Sequence, residues 1–182
     1  MLRSPVLIAL AAVQLLAGCT YQILAYAPDP SSSNALKGAS SKVKVVALPP
    51  AFADEGSILC RGAGPVALPT GQTFTQYIAD ALRMELAAAR AFDPAGGEEL
   101  RMMLKRVDFQ TTLGATNWYI DADYEMRSGR FTVSTVHNER SSYMGDKACA
   151  NMGVYFRAAV ARHIRETFSY PALREQLAVP PR

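Results

Sequence analysis

The 182-residue sequence has few of the residues and motifs that build catalytic centres. It contains three cysteines and two histidines, and it lacks the G-x-S-x-G, H-E-x-x-H and C-x-x-C motifs. Its net charge of +3, from 19 basic and 16 acidic residues, is too small to indicate a nucleic-acid partner, which usually requires a concentrated basic stripe. Only the N-terminal stretch is apolar enough to enter a membrane, which excludes a protein with several spans. We therefore expect no enzymatic activity, no metal and no cofactor.

The N-terminus has the organisation of an export signal. Arg3 is followed by the apolar run Val6–Leu16, which is interrupted only by Gln14. Eleven residues at about 1.5 Å each cover only about half of a bilayer core, so the run is too short to be a stable span. Residues 1–18 are therefore interpreted as a signal peptide that is removed from the mature protein.

The signal ends on Leu16-Ala17-Gly18-Cys19, which resembles the lipobox of bacterial lipoproteins. The resemblance implies a lipid on the Cys19 thiol and cleavage before this residue. The alternative is an ordinary secretory signal with a chance cysteine. Thr20, rather than Asp, follows Cys19, and by resemblance to the sorting rule of enteric lipoproteins this favours a lipid-anchored protein on the periplasmic face of the outer membrane.

The mature chain is predicted to begin with a tether and to continue as one domain. Prolines, serines and a glycine between Pro28 and Ser41 predict that residues 19–41 form a lipidated N-terminus and a flexible tether. Residues 42–170 carry the periodic apolar patterns of a folded domain, and residues 171–182 form a C-terminal tail.

The periodic patterns predict six elements in the order β-α-β-β-β-α. The predicted strands are Val43–Leu48, Leu100–Thr112, Trp118–Met126 and Arg130–Tyr143; one helix opens with a capping box at Thr73-Phe74-Thr75-Gln76 and the other is capped by Asp146. Clean alternation in Trp118–Met126 indicates a sheet that is covered on one face only. The predicted fold is an α+β two-layer sandwich, with a mainly antiparallel four-stranded sheet and two helices on one face.

Cys60 and Cys149 are the two cysteines that remain in the mature domain. The predicted topology puts the loop that holds Cys60 and the start of the last helix at the same edge of the sheet. Two thiols in a small exported domain tend to pair in the oxidising periplasm, so a Cys60–Cys149 disulfide is expected. A free thiol pair and a metal site are the alternatives, but the latter needs more ligands than two histidines can supply.

Seven other titratable residues are candidates for a chemical role. His163 on an apolar helix stripe is interpreted as a hydrogen-bonded core residue, and His137 lies in a strand. Asp121, Asp123 and Glu125 alternate onto the solvated face of a strand, so we expect no acid–base role for them. Arg157 and Arg165, on the polar side of the last helix, are either solvated or able to contact lipid phosphates or peptidoglycan carboxylates.

The order of lipobox, tether, strand, helix, three strands and helix is similar to that of lipopolysaccharide-assembly lipoproteins and of auxiliary lipoproteins of ABC-type lipid transporters. The stretch from Ile58-Leu59-Cys60 to Thr73-Phe74, continuing into residues 77–82, resembles an uncharacterised group of proteobacterial lipoproteins. These resemblances imply a non-catalytic accessory or scaffold subunit in envelope assembly or lipid transport.

Two functional hypotheses follow. Under the first, the chain binds an envelope protein through the apolar residues of the Cys60 loop, which are Ile58, Leu59, Val66, Ala67 and Leu68. Under the second, it is a small-ligand or lipid-binding module with a pocket between the helices and the sheet.

Overall fold

The computed structural model describes residues 19–69, 71–112 and 114–180, so the predicted signal peptide lies outside the described residues. Along the chain these residues form β1 Tyr21–Gln22, α1 Pro30–Ala35, β2 Lys44–Ala47, β3 Ser57–Cys60, β4 Gly64–Ala67, α2 Phe74–Ala88, β5 Glu99–Thr112, β6 Ala115–Met126, β7 Gly129–Arg140, α3 Gly145–Phe168 and α4 Pro171–Gln176. None of the described helices is both long and apolar enough to cross a membrane.

The main sheet has the strand order β2-β5-β6-β7. β2 pairs with β5 in parallel, whereas β5 with β6 and β6 with β7 are antiparallel. Every second residue of β6 is buried, from Thr116 to Met126, and the residues between are half-exposed. This alternation shows that the helices cover one face of the sheet and that the other face is open to solvent. The predicted α+β class is thereby confirmed.

Both long helices bury an apolar stripe against the main sheet. α2 begins with the predicted capping box, in which the Thr73 and Gln76 side chains each bind the other residue's backbone N–H. α3 begins at Gly145, and its N-cap residue Met144 has no capping side chain. The prediction that Asp146 caps this helix is wrong: Asp146 lies inside the first turn, where its negative charge still favours the helix dipole.

Four aromatic rings pack together in the layer between the helices and the sheet. Phe156 of α3 lies 4.6 Å from Trp118 of β6, 5.2 Å from Tyr77 and 5.3 Å from Phe74, measured between ring centroids. The Trp118 indole N–H donates to the carbonyl of Met152 at 3.0 Å, which satisfies its buried polar group. This cluster is the centre of the core.

A second sheet replaces the loop that was predicted to hold Cys60. β3 and β4 form an antiparallel hairpin, and the two-residue β1 pairs in parallel with β4, giving the order β1-β4-β3. The hairpin turns at Arg61 and Gly62, which both have positive φ, and Ala63 N–H donates to the Cys60 carbonyl at 2.8 Å. Gly62 in the predicted Cys60 loop therefore belongs to the tight turn of a hairpin.

The flexible tether predicted for residues 19–41 is wrong, because the described part of this segment is packed on the domain. Ile23 and Leu36 are buried in the core. The buried carboxylate of Glu85 in α2 accepts from the Tyr26 hydroxyl and, at 2.6 Å, from the Asp29 N–H. Asp29 also caps α1 and pairs with Arg165 of α3 at 2.6 Å. These buried apolar residues and hydrogen bonds hold the segment on the domain, although its proline and serine content is typical of a flexible chain.

The described part of the predicted C-terminal tail, residues 171–180, is also structured. α4 buries Leu173, and Leu177 follows it into the core. Arg174 donates to the Ala35 carbonyl at 2.7 Å, so this helix closes over the end of α1. The folded body therefore includes both segments that flank the predicted domain.

Candidate functional site

Cys60 and Cys149 form the predicted disulfide, with their Cα atoms 5.8 Å apart. Cys60 is the last residue of β3 and Cys149 lies in the second turn of α3. Both are fully buried. The bond therefore joins the hairpin of the second sheet to the helix that covers the main sheet, as the topology had predicted.

Cys19 packs against the hairpin that carries Cys60. Its thiol is free and its residue is exposed. Its carbonyl oxygen sits against Gly64, where an added Cβ would come within 2.0 Å of it. Gly64 is the register partner of Cys60 across the hairpin. The predicted lipidation site and the disulfide therefore belong to one end of the domain, a proximity that the tether hypothesis had not anticipated.

The β3–β4 turn, the β5–β6 turn and the segment between β7 and α3 also lie at this end of the domain. Arg61 in the β3–β4 turn donates through Nε to the Thr111 hydroxyl near the end of β5. Ser141 N–H, just after β7, donates to the Gly114 carbonyl in the β5–β6 turn at 3.2 Å. The Tyr143 side chain lies over the same glycine. We call the surface formed by Cys19, residues 59–64, Gly114 and residues 140–147 the disulfide end.

The disulfide end exposes three large apolar side chains. The exposed fractions are 68% for Leu59, 75% for Tyr143 and 55% for Met144. Tyr143 and Met144 were not predicted as contact residues, although an apolar pair directly before the start of a helix could have indicated them. Such exposed groups, clustered at one end, are candidates for contact with another surface.

The predicted contact loop is only partly available for contact. Val66 and Leu68 are buried in the core, Ile58 and Ala67 are half-buried, and only Leu59 is largely exposed. The prediction is wrong for Val66 and Leu68 because the segment is a hairpin. Alternate residues of a strand point to opposite faces, so Val66 turns inward on the face where Cys60 lies.

His163 is fully buried between two hydroxyl groups. The Tyr124 hydroxyl lies 2.9 Å from its Nε2, and the Thr135 hydroxyl oxygen lies 2.9 Å from its Nδ1. Thr135 donates its own proton to a Glu166 carboxylate oxygen, so Nδ1–H donates to Thr135 and Nε2 accepts from Tyr124. Burial lowers the pKa of His163 to about 3, which keeps the imidazole neutral. The arrangement agrees with its interpretation as a hydrogen-bonded core residue.

Two of the remaining candidates, His137 and Arg165, lie at a shallow surface depression, which is lined by His137, Arg162, Arg165, Glu166 and Ser169. Burial lowers the pKa of the half-buried His137. Arg162 pairs with Glu166 at 2.8 Å and Arg165 with Asp29 at 2.6 Å. Arg165 thus holds the N-terminal segment, which corrects its expected placement as a solvated or phosphate-binding group; Arg157 is exposed, as expected.

The three strand carboxylates lie on the outer, uncovered face of the main sheet. Asp123 accepts from the Thr132 hydroxyl at 2.7 Å and faces Lys105 at 3.6 Å. Glu125 pairs with Arg130 at 3.1 Å. Asp121 is half-exposed on the same face. Among residues 19–69, 71–112 and 114–180, no group of three His, Cys, Asp or Glu side chains could hold a metal ion.

Comparison with known proteins identifies a shared fold. No protein-family model and no curated protein matches the chain. The chain is similar to the crystal structure of a Xanthomonas campestris protein assigned to the family DUF330, with a TM-score of 0.58, 16% identity, and coverage of 88% of this chain and 98% of that one. An uncharacterised protein of solved structure gives a TM-score of 0.42 at 10% identity, over 86% and 96% of the two chains.

At 16% identity, the similarity to the Xanthomonas structure concerns the fold alone. Because it extends over nearly the whole of both chains, the arrangement of two sheets and covering helices is not peculiar to this sequence. The disulfide end and its exposed side chains are observed in this chain, and the similarity in fold carries no information about them.

Proposed function

We propose that the protein is an outer-membrane-anchored periplasmic lipoprotein that acts as a non-catalytic accessory or scaffold subunit in cell-envelope assembly or lipid transport. The observation that carries the proposal is the position of Cys19. It completes a lipobox in the sequence, and its exposed, unpaired thiol begins the folded domain. A lipid on this thiol needs no rearrangement of the domain.

The use of the three cysteines supports export. Cys60 and Cys149 pair with each other, which leaves Cys19 as the free cysteine of the described chain. Structural disulfides persist in oxidising compartments such as the periplasm and are rare in the cytosol. A disulfide in the domain and a lipobox before it are therefore consistent with the same destination.

The packing of the core favours the accessory role over the second hypothesis, a ligand-binding module. The pocket of that module was expected between the helices and the sheet. That space holds the buried rings of Phe74, Tyr77, Trp118 and Phe156, and the first three each contact Phe156. A ligand would have to displace close-packed aromatic side chains, whereas a protein partner requires only exposed surface.

Metabolic labelling with a radioactive fatty acid tests the anchor. Wild-type protein expressed in a Gram-negative host should incorporate the label and fractionate with the outer membrane. Cys19→Ala should lose the label and remain unprocessed or become soluble, because the acceptor thiol is gone. The matched control is the double variant Cys60→Ser/Cys149→Ser, which should still be labelled. Undiminished labelling of Cys19→Ala would overturn the lipoprotein assignment.

Crosslinking in intact cells tests the accessory role. Capture of the wild-type protein after crosslinking should recover one specific envelope protein in stoichiometric yield, and the same protein should be absent from a Cys19→Ala sample. Recovery of phospholipid or another small molecule without a protein partner would contradict the accessory role and favour the ligand-binding module.

A further inference from the structure

We propose that the disulfide end is the membrane-facing surface of the domain, and that Leu59, Tyr143 and Met144 insert into the interfacial region of the phospholipid bilayer. This inference rests on the proposed acylation of Cys19. It adds an orientation and a second, non-covalent contact between the protein and the membrane.

The first step is the length of chain between lipid and domain. Thr20 alone separates Cys19 from β1, which is paired with β4. One extended residue spans at most about 3.6 Å. The Cys19 carbonyl is itself packed against Gly64. An acyl chain on Cys19 that enters the bilayer therefore brings the disulfide end to the bilayer surface, because no slack chain remains to hold it away.

The second step is the chemistry of the surface that is brought there. Leu59 projects from the outer face of the hairpin beside Cys60, and Tyr143 and Met144 precede α3 beside the β5–β6 turn. All three are more than half exposed, which is costly in water for groups of this size. A tyrosine with an apolar ring and a polar hydroxyl suits the headgroup level of a membrane, and leucine and methionine suit the apolar side of that boundary.

The charges around these side chains fit the same environment. Arg61, Arg140 and Lys147 are exposed at the disulfide end, against one exposed acid, Asp146. An excess of basic side chains next to apolar ones is the usual composition of a surface that lies on phospholipid headgroups. Arginine can in addition bind phosphate oxygens through two parallel hydrogen bonds.

The third step is the direction of the domain axis. β6 begins at Ala115 in the disulfide end and reaches Met126, next to the β6–β7 turn at Arg127 and Ser128. The eleven steps from Ala115 to Met126, at about 3.3 Å each, place that turn roughly 36 Å from the disulfide end along the strand. The β6–β7 turn is therefore the end of the domain that points into the periplasm.

Tryptophan quenching by brominated lipid tests this orientation. The acylated, full-length processed protein carrying Leu59→Trp or Tyr143→Trp is reconstituted into vesicles of phosphatidylethanolamine and phosphatidylglycerol with brominated acyl chains. Both replaced positions are exposed, so the fold should tolerate them. The native Trp118 is buried and contributes a constant background. Ser128→Trp, at the far turn, is the matched control.

The expected result is a loss of emission for Leu59→Trp and Tyr143→Trp in brominated relative to unbrominated vesicles, and no loss for Ser128→Trp. Mass spectrometry of the same samples establishes whether Cys19 is acylated. Acylated protein without quenching at position 59 or 143 overturns the inference and leaves the lipoprotein assignment intact. Protein without a lipid on Cys19 overturns the proposed function instead.

A photocrosslinker at position 59 in living cells separates a lipid from a protein neighbour. Crosslinks to phospholipid support the inference. A single strong crosslink to one envelope protein overturns it, because the disulfide end would then be a protein-binding surface. The same crosslinker at position 128 identifies the neighbours of the β6–β7 turn, the end that points into the periplasm.

Discussion

Gly153 of α3 lies against the backbone carbonyl of Gln22 in β1, so closely that an added Cβ would come within 2.4 Å of that oxygen. The Gln22 carbonyl belongs to the backbone, so it can move away from an added Cβ only if the strand itself shifts. β1 therefore crosses α3 at a glycine, where the helix has no side chain. This crossing fixes residues 21 and 22 on the domain and, with them, the position of Cys19.

Gly153→Ala should therefore destabilise the protein. Glycine to alanine inside a helix normally stabilises it by roughly 0.5–1 kcal/mol, because alanine has less backbone freedom to lose. Here the methyl group meets backbone, and overpacking of this kind costs about 1–3 kcal/mol. Urea denaturation should show a lower free energy of unfolding. Gly145→Ala, at the start of the same helix with no atom within 4 Å of the new Cβ, is the control and should be neutral or stabilising. Equal stability of the two variants would contradict the docking of β1.

The elements that could be predicted are those whose own sequence carries a long period. β5, β6 and β7 have 14, 12 and 12 residues, and alternation over such lengths is a signal that tertiary contacts seldom override. The capping box of α2 is a local motif with a local cause. The disulfide followed from these elements, because their order determines which chain ends meet at one edge of the sheet.

The elements that could not be predicted are short and depend on distant partners. β1 has two residues and exists because β4 and α3 hold it. α1 has six residues, four of them proline or serine, and composition favoured a flexible segment. In retrospect Asp29-Pro30 is a helix start, with a capping side chain followed by proline at the first helical position. Its anchors, Glu85 and Arg165, lie 56 and 136 positions away along the chain.

Because residues 19–41 were predicted to be a flexible tether, the position of Cys19 on the domain could not be predicted. A tether hides the relation between Cys19 and the domain, since a flexible chain of about 22 residues spreads over roughly 26 Å. With the segment folded, Cys19 has a defined neighbour in Gly64. The outward direction of Leu59 and the inward direction of Val66 could likewise not be assigned until the hairpin register was known.

The pH dependence of stability should report on His163. Its pKa is about 3 in the folded protein, below the ordinary value of 6.5, so between these values the unfolded chain binds one proton more than the folded one. The stabilisation is fully present above about pH 6.5 and is lost as the pH falls toward 3, with a slope of up to about 1.4 kcal/mol per pH unit. Denaturation at several pH values between about 4.5 and 7 should show this slope.

His163→Gln should flatten that slope, because an amide does not titrate yet can still bind the Tyr124 and Thr135 hydroxyls. The half-buried His137 also has a lowered pKa, but it is present in both proteins and cancels in the comparison. His137→Gln, as the control, should leave most of the slope in place. An unchanged slope in His163→Gln would show that this histidine is not held neutral by burial.

The helix phase of α3 is tested by two neighbouring residues. Phe156 is fully buried among three aromatic rings, whereas Arg157 is exposed. Phe156→Ala should cost about 3–5 kcal/mol of unfolding free energy, because it leaves a cavity in the centre of the core. Arg157→Ala should stay within about 0.5 kcal/mol. Comparable losses in the two variants, measured by chemical denaturation, would place the helix in a different rotation.

The disulfide should contribute a large share of the stability. Cys60 and Cys149 are 89 positions apart, and in the chain-entropy model a cross-link over such a loop stabilises by about 4–5 kcal/mol as an upper limit. The native domain should show no reactive thiol other than Cys19, and reduction should lower the melting temperature substantially. Cys60→Ser/Cys149→Ser should melt like the reduced protein. Each single variant should in addition form intermolecular dimers under oxidising conditions, because one thiol is left without its partner. Two titratable thiols in the native domain, beyond Cys19, would contradict both the bond and the packing of the hairpin against α3.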